Sequence, residues 1–201
     1  MASSLAMAAP SLDPIDRFQD ALRRARVSEP QAGVAVALAT ADADGAPSVR
    51  MVLLRDVDAR GFVIYTNRTS RKGLVMEANP RAALCFYWAS LNEQVRVEGP
   101  VERVRDEESD AYFASRPRGS QVGAWASRQS AVLASREELE AAMLEAEERF
   151  AGGPVPRPPF WGGYRVRPVR IEFWREGANR LHERVLYERD GEGWRTALLS
   201  P

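Results

Sequence analysis

The chain has 201 residues, with 28 basic side chains balanced by 28 acidic ones, and every basic residue except Lys72 is an arginine. One histidine, His182, and one cysteine, Cys85, rule out a four-ligand Cys/His zinc site, an intrachain disulfide framework and any mechanism that needs two histidines. The zero net charge leaves no basic excess for nucleic acid or an anionic membrane, and no run approaches the ~20 apolar residues that span a bilayer. A cytoplasmic protein is expected, with no metal, whose chemistry is borrowed from a cofactor.

Residues 1–12 (MASSLAMAAPSL) lack the basic start and long apolar core of a secretory signal and read as a disordered N-terminal tail. A single domain is expected over 13–201. Ile15, Phe18, Leu22 and Ala25 recur at helical spacing, so a helix is expected over 13–25. Residues 34–41 (VAVALATA) read as a strand, 42–47 (DADGAP) as a turn, 48–57 (SVRMVLLRDV) as a second strand and 62–67 (FVIYTN) as a third. A helix fits 70–78, ended near Asn79-Pro80 by the missing proline N–H. Strands are expected at 82–89 and 94–105, the second bent at Gly99-Pro100. Asp106 can cap a helix through Ser115, and Ser135 with Glu138 forms a capping box for a helix to about Phe150, with Leu139, Met143, Ala146 and Phe150 as its core stripe. A proline-rich loop covers 152–163, and strands at 164–175, 184–190 and 194–199 close the chain, the last two turning at Asp190-Gly191. These strands, in meander order with helices between them, predict an α+β fold, an antiparallel barrel with peripheral helices.

Three constellations bear chemistry. Ser70-Arg71-Lys72-Gly73 opens a helix after a strand, where free N–H groups and two cations favour an anion; a plain solvated helix start is the competing reading. Tyr112 and Arg116 lie four apart on one helix face, with Ser120 expected in the loop beyond Pro117, a set that suits a phosphate monoester or else an ordinary aromatic–arginine surface pair. If 180–184 (RLHER) is extended, Arg180, His182 and Arg184 share one side, which fits either a site or a barrel wall.

The stretches RMVLLR (50–55), YTNRTSRKG (65–73), EQVRVEG (93–99), SDAYFASRPRGSQVGAWASRQS (109–130), FWGGYRV (160–166), RIEFW (170–174) and NRLHER (179–184) resemble the pyridoxamine 5'-phosphate oxidase family. The resemblance runs in order from about residue 13 to Pro201. It implies an FMN-binding split β-barrel that works as a homodimer, with FMN at the subunit interface and no metal. The implied activity is oxidation of pyridoxine 5'-phosphate and pyridoxamine 5'-phosphate to pyridoxal 5'-phosphate by O2, releasing H2O2. Carried over position by position, it assigns FMN contacts to Arg50, Met51, Val52, Leu53, Leu54, Arg55, Tyr65, Thr66, Arg71, Lys72, Gln94, Gln129, Ser130, Trp174 and Arg184. It assigns the substrate to Arg55, Tyr112, Arg116, Ser120, Arg180, Leu181 and His182, with Arg180 and His182 over the pyridine ring as the catalytic pair.

One position departs from the family pattern, which ends the first motif in Lys where this chain has Arg55. A planar fork there replaces a point charge. In a chain that uses arginine almost everywhere, drift explains the change. The alternative is a different substrate, a phenazine-type precursor, as in related flavin oxidases. A non-catalytic flavin or pyridoxal-phosphate carrier is the third reading.

Overall fold

The computed structural model describes residues 13–30 and 33–201, so the tail expected over 1–12 lies outside the described residues. Helix α1 (Pro14–Ser28) begins where the Asp13 carboxylate accepts the Ile15 N–H at 2.7 Å, with proline at the first helical position, where no N–H partner is lost. It runs three residues past its expected end. Its apolar side enters the main core, where the Phe18 ring meets Phe62 and Phe86 edge-on at 4.7 and 4.8 Å.

Strands β1 (Ala35–Ala41) and β2 (Pro47–Leu53) form a hairpin. Its turn is tied by the Asp42 carboxylate, which accepts the Asp44 and Ala46 N–H groups, while Gly45 supplies a φ of +84°. The strand expected over 48–57 is two strands, because the chain changes partners at a corner. The Leu54 N–H bonds the Val34 carbonyl and the next N–H, of Arg55, bonds the Val63 carbonyl, both at 2.9 Å. Strand β3 (Asp56–Asp58) then pairs with β4 (Gly61–Asn67) in the other half of the barrel. Leu54 is thereby driven into the core and Arg55 is left at the corner.

Helix α2 (Arg71–Ala78) follows β4 directly, capped by Ser70, and leads to β5 (Arg81–Trp88) and β6 (Glu93–Arg103). The bend expected at Gly99-Pro100 is a second corner. Residues 93–98 pair with β8 (Arg170–Arg175), whereas 101–103 pair with β7 (Trp161–Val166). A Cβ on Gly99 would overlap the Arg167 carbonyl, so the two backbones can approach only with glycine there. The strand expected over 164–175 breaks for the same reason, with 167–169 crossing between sheet halves at Pro168, which has no N–H to give a ladder. With β9 (Glu183–Asp190) and β10 (Gly193–Leu198), which turn at Gly191, the described residues form ten strands. Their order is β10-β9-β8-β6-β5-β1-β2, with β7, β4 and β3 branching from β6. The result is a split antiparallel barrel with helices outside it, so the expected class holds while the strand count was too low.

Helix α3 (Asp106–Ala114) is capped by the Arg105 backbone, without a side-chain bond from Asp106. Pro117 ends α3 but also starts α4 (Arg118–Ala126), which puts Ser120 in a helical first turn instead of the expected loop. Helix α5 (Arg136–Arg149) has the expected Ser135 cap, while the Glu138 carboxylate reaches the Ala134 N–H at 3.0 Å and not that of Ser135. A second, smaller core joins Phe113, Val122, Ala146, Val155 and Trp161, with Met143 and Phe150 packed against it.

Candidate active site

A cavity of about 480 Å³ opens between the end of β2, strand β4, the start of α2 and the face of α4. One side of it is cationic. Lys72 Nζ donates to Gln129 Oε1 at 3.1 Å and to Ser70 Oγ at 3.4 Å, and Thr66 Oγ1 donates to the same Gln129 oxygen at 2.9 Å. With that oxygen occupied twice, the Gln129 amide nitrogen is left as a donor. Burial, and then the Arg50 guanidinium, push the Lys72 ammonium below its ordinary range. Burial and then Arg71 do the same to Arg50, which is held by the Leu38 carbonyl, Thr40 and Ser48 at 2.6–3.1 Å. Among the described residues no carboxylate ion-pairs with Arg50, Arg71 or Lys72. Arg50 on β2, with Arg71 and Lys72 at the start of α2, makes a carboxylate-free cation cluster that suits an anion. The local chain enforces it, since a Cβ on Gly73 would overlap the Arg68 carbonyl at this turn.

The other side is aromatic. Tyr65 stacks on Tyr112 at 4.1 Å between centroids and on Trp161 at 5.4 Å. The Arg116 guanidinium lies 4.8 Å from the Trp161 ring and that of Arg55 lies 5.9 Å from Tyr112. Arg116 Nη1 is buried without a hydrogen-bond partner, and burial, with Arg55 contributing, lowers its pKa. A buried guanidinium nitrogen left unpaired is costly, and an anion bound there would satisfy it. Burial and Glu108 push the Tyr65 phenol up to about 12, so it stays a neutral donor.

Of the residues expected to bind, Met51, Val52, Leu53, Arg55, Tyr65, Thr66, Lys72, Tyr112, Arg116, Ser120 and Gln129 line this cavity. Arg50 and Arg71 do not, standing beside Lys72 outside the lining; nor does Leu54, which is in the core, or Ser130, an exposed residue with a φ of +73°. Asn67, Gly123, Ala124, Ser127 and Trp161 line it and were not singled out. Four of the lining residues carry a readable signal: Ser120, Gly123, Ala124 and Ser127 are small residues at i, i+3, i+4 and i+7, the spacing of one helix face, and their size makes the room.

The remaining expected residues gather elsewhere. Gln94, Trp174 and Arg184 are in register across β6, β8 and β9. Arg184 grips the buried Glu172 carboxylate at 2.8 Å and donates to the Ser200 carbonyl at 2.9 Å. The His182 ring lies 4.8 Å from that of Trp174. The extended reading of 180–184 fails, because Asn179 and Arg180 adopt left-handed φ values of 55° and 62° and form a turn, with Arg180 and Leu181 exposed. None of these six residues lines the cavity. Within one chain the expected residues therefore fall into two separate groups.

A split barrel whose cleft joins a carboxylate-free cation cluster to an aromatic stack has the features that suit a flat, anionic ring compound. Residues 23–150 match the family described as pyridoxamine 5'-phosphate oxidase, and residues 161–201 match the pyridoxine 5'-phosphate oxidase C-terminal dimerisation region. The chain belongs to the pyridoxamine 5'-phosphate oxidase family. It is 64% identical to a pyridoxine/pyridoxamine 5'-phosphate oxidase of Anaeromyxobacter dehalogenans (94% of this chain, 96% of the relative). It is 60% identical to one of Myxococcus xanthus (94% and 92%). Among solved structures, PhzG from Burkholderia lata 383 in complex with tetrahydrophenazine-1-carboxylic acid superposes with a TM-score of 0.90 at 35% identity (96% of this chain, 94% of that one). An FMN-binding protein of Nostoc punctiforme, 18% identical over 95% of this chain and 100% of that one, with a TM-score of 0.75, shares the fold. Among the described residues no helix is long and apolar enough to cross a membrane.

Proposed function

We infer that this chain is an FMN-dependent oxidase that converts pyridoxine 5'-phosphate and pyridoxamine 5'-phosphate to pyridoxal 5'-phosphate, with O2 as acceptor, H2O2 as product and NH3 released from the amine. The observation that carries the reading is the presence of two separate cation groups at one cavity, Lys72 on its wall with Arg50 and Arg71 beside it, and Arg55 with Arg116, the second with a buried unpaired nitrogen. A phosphorylated cofactor and a phosphorylated substrate need two such anchors, and the 64% identity to a named oxidase agrees.

FMN fits the first group: Arg50, Arg71 and Lys72 would hold its phosphate, with the Gln129 amide nitrogen offering a donor beside them. When bound, FMN supplies the hydride acceptor that O2 reoxidises. The protein's task is then alignment and exclusion of water. Tyr112, Arg116, Ser120 and Arg55 would hold the substrate phosphate. Arg180, Leu181 and His182, with Gln94, Trp174 and Arg184, would come from a second copy of the chain in a homodimer that shares FMN at its interface. Their separation from the cavity within one chain, and the place of most of them in the dimerisation region, support this reading. The lone cysteine suits work in the cytoplasm.

The test is aerobic turnover of each substrate by the purified, FMN-loaded protein, with aldehyde and peroxide measured together. A yellow protein that turns over neither substrate would refute the reading. Arg55 and the similarity to PhzG favour a second reading, oxidation of a dihydrophenazine carboxylate. The retention of Tyr112, Arg116 and Ser120 on the cavity weighs against it. A carrier without catalysis would bind ligands and consume no oxygen.

A further inference from the structure

The loop between β8 and β9 carries His182, the chain's single histidine. The loop is closed by its own backbone. The Leu181 N–H donates to the Ala178 carbonyl at 3.0 Å across the left-handed pair Asn179 and Arg180, and the Glu176 N–H ties the loop to the Asn92 carbonyl just before β6, also at 3.0 Å. Inside this turn the Gly177 N–H donates to His182 Nδ1 at 3.3 Å. A Cβ on Gly177 would overlap the Leu181 carbonyl, so this approach of backbone to ring requires glycine. The half-buried imidazole also rests on Trp174, at 4.8 Å and 45° between ring planes.

A backbone N–H can only donate, so Nδ1 must be a bare acceptor. In a neutral imidazole the proton then resides on Nε2. We propose that Gly177 is a positioning residue that fixes His182 as the Nε2–H tautomer, so that this side chain meets its ligand as a hydrogen-bond donor and not as a base. Moving the proton to Nδ1 would set two N–H groups against each other and break the contact that closes the loop. The tautomer rests on loop geometry alone. Its consequence for the substrate rests on the proposed oxidase activity: Nε2–H would orient a polar atom of the pyridine ligand, and the proton that leaves with the hydride would be accepted by a group other than His182 Nε2.

The single histidine makes the test direct. The FMN-loaded protein, isotopically labelled in its histidine nitrogens, is studied by NMR at about pH 9, well above the ordinary histidine pKa of about 6.5. The expected spectrum has one pair of imidazole signals, Nδ1 at the unprotonated position and Nε2 at the protonated one. In Gly177→Ala both signals should move toward the average of exchanging tautomers. A protonated Nδ1, or averaged signals, in the wild-type protein would overturn the proposal, as would an unchanged spectrum in a folded Gly177→Ala variant. If that variant does not fold, the wild-type spectrum still decides. Failure of the oxidase assay would leave the spectrum as predicted, so the two failures can be told apart.

Discussion

Replacing Lys72 by methionine separates a ligand-binding role from a structural one. Methionine keeps most of the apolar stem and removes the charge. Without ligand the half-buried ammonium has a carboxamide oxygen at 3.1 Å and a hydroxyl at 3.4 Å as acceptors, and it faces Arg50. Its removal should therefore change the stability of the FMN-free protein by less than about 1 kcal/mol, roughly 2–4 °C in Tm for a chain of this size. A charge-assisted bond to phosphate contributes about 1.5–3 kcal/mol, so FMN affinity should fall by ~10- to 150-fold. The assay is titration by quenching of flavin fluorescence, paired with thermal unfolding of the FMN-free protein. An affinity within about twofold of wild type, or a fall in FMN-free Tm well beyond the roughly 4 °C above, would refute the reasoning. The pH dependence has a definite sign. Because the folded-state pKa of Lys72 is depressed below its ordinary 10.5, the unfolded chain binds more protons between the two values. The stability of the FMN-free protein should thus rise with pH across that window, while FMN affinity falls there as the ammonium is lost. Both slopes should be absent in Lys72→Met.

Other substitutions probe the second anchor and the second group of residues. Arg116→Ala removes the unpaired buried Nη1 and should raise KM for phosphorylated substrates by ~10-fold or more at unchanged FMN content, the arithmetic being that of one charged hydrogen bond; an unchanged KM would contradict it. Arg55→Lys should leave kcat/KM within a few-fold, since the charge near Tyr112 survives; a gain of orders of magnitude would show a site repurposed for another substrate. Glu172→Gln leaves Arg184, a quarter exposed, without its carboxylate. It should cost about 1–3 kcal/mol in stability, less than a fully buried pair would, and should loosen FMN retention. Wild-type unfolding and retention in that variant would remove Arg184 from the proposed cofactor site.

Local signals were legible in the sequence where the physics is local. Asp13-Pro14 marks the start of α1, Ser70 caps α2, and Asp42 with Gly45 makes the first hairpin turn, because each acts on backbone groups within a few residues. The corners were not legible. Residues 48–57 and 164–175 keep a strand-like pattern straight through Leu54-Arg55 and 167–169, and only the change of partner strand ends the element. Pro117 signals the end of α3 equally well whether a loop or another helix follows, so the placement of Ser120 depended on the tertiary structure. The string 180–184 alternates like a strand, yet left-handed backbone at Asn179 and Arg180 takes its first residues out of the sheet. The alignment of Gln94, Trp174 and Arg184 depends on register between strands far apart in the chain, which no spacing rule supplies. Within the cavity, the small face of α4 was visible as a period but has no chemistry of its own to draw notice.

The measurement that bears most directly on the central claim is anaerobic mixing of the FMN-loaded protein with pyridoxine 5'-phosphate. The account predicts that the yellow flavin absorbance bleaches, that one aldehyde forms per flavin reduced, and that admitting air restores the colour with release of peroxide. A flavin that stays yellow under saturating pyridoxine 5'-phosphate and pyridoxamine 5'-phosphate would contradict it.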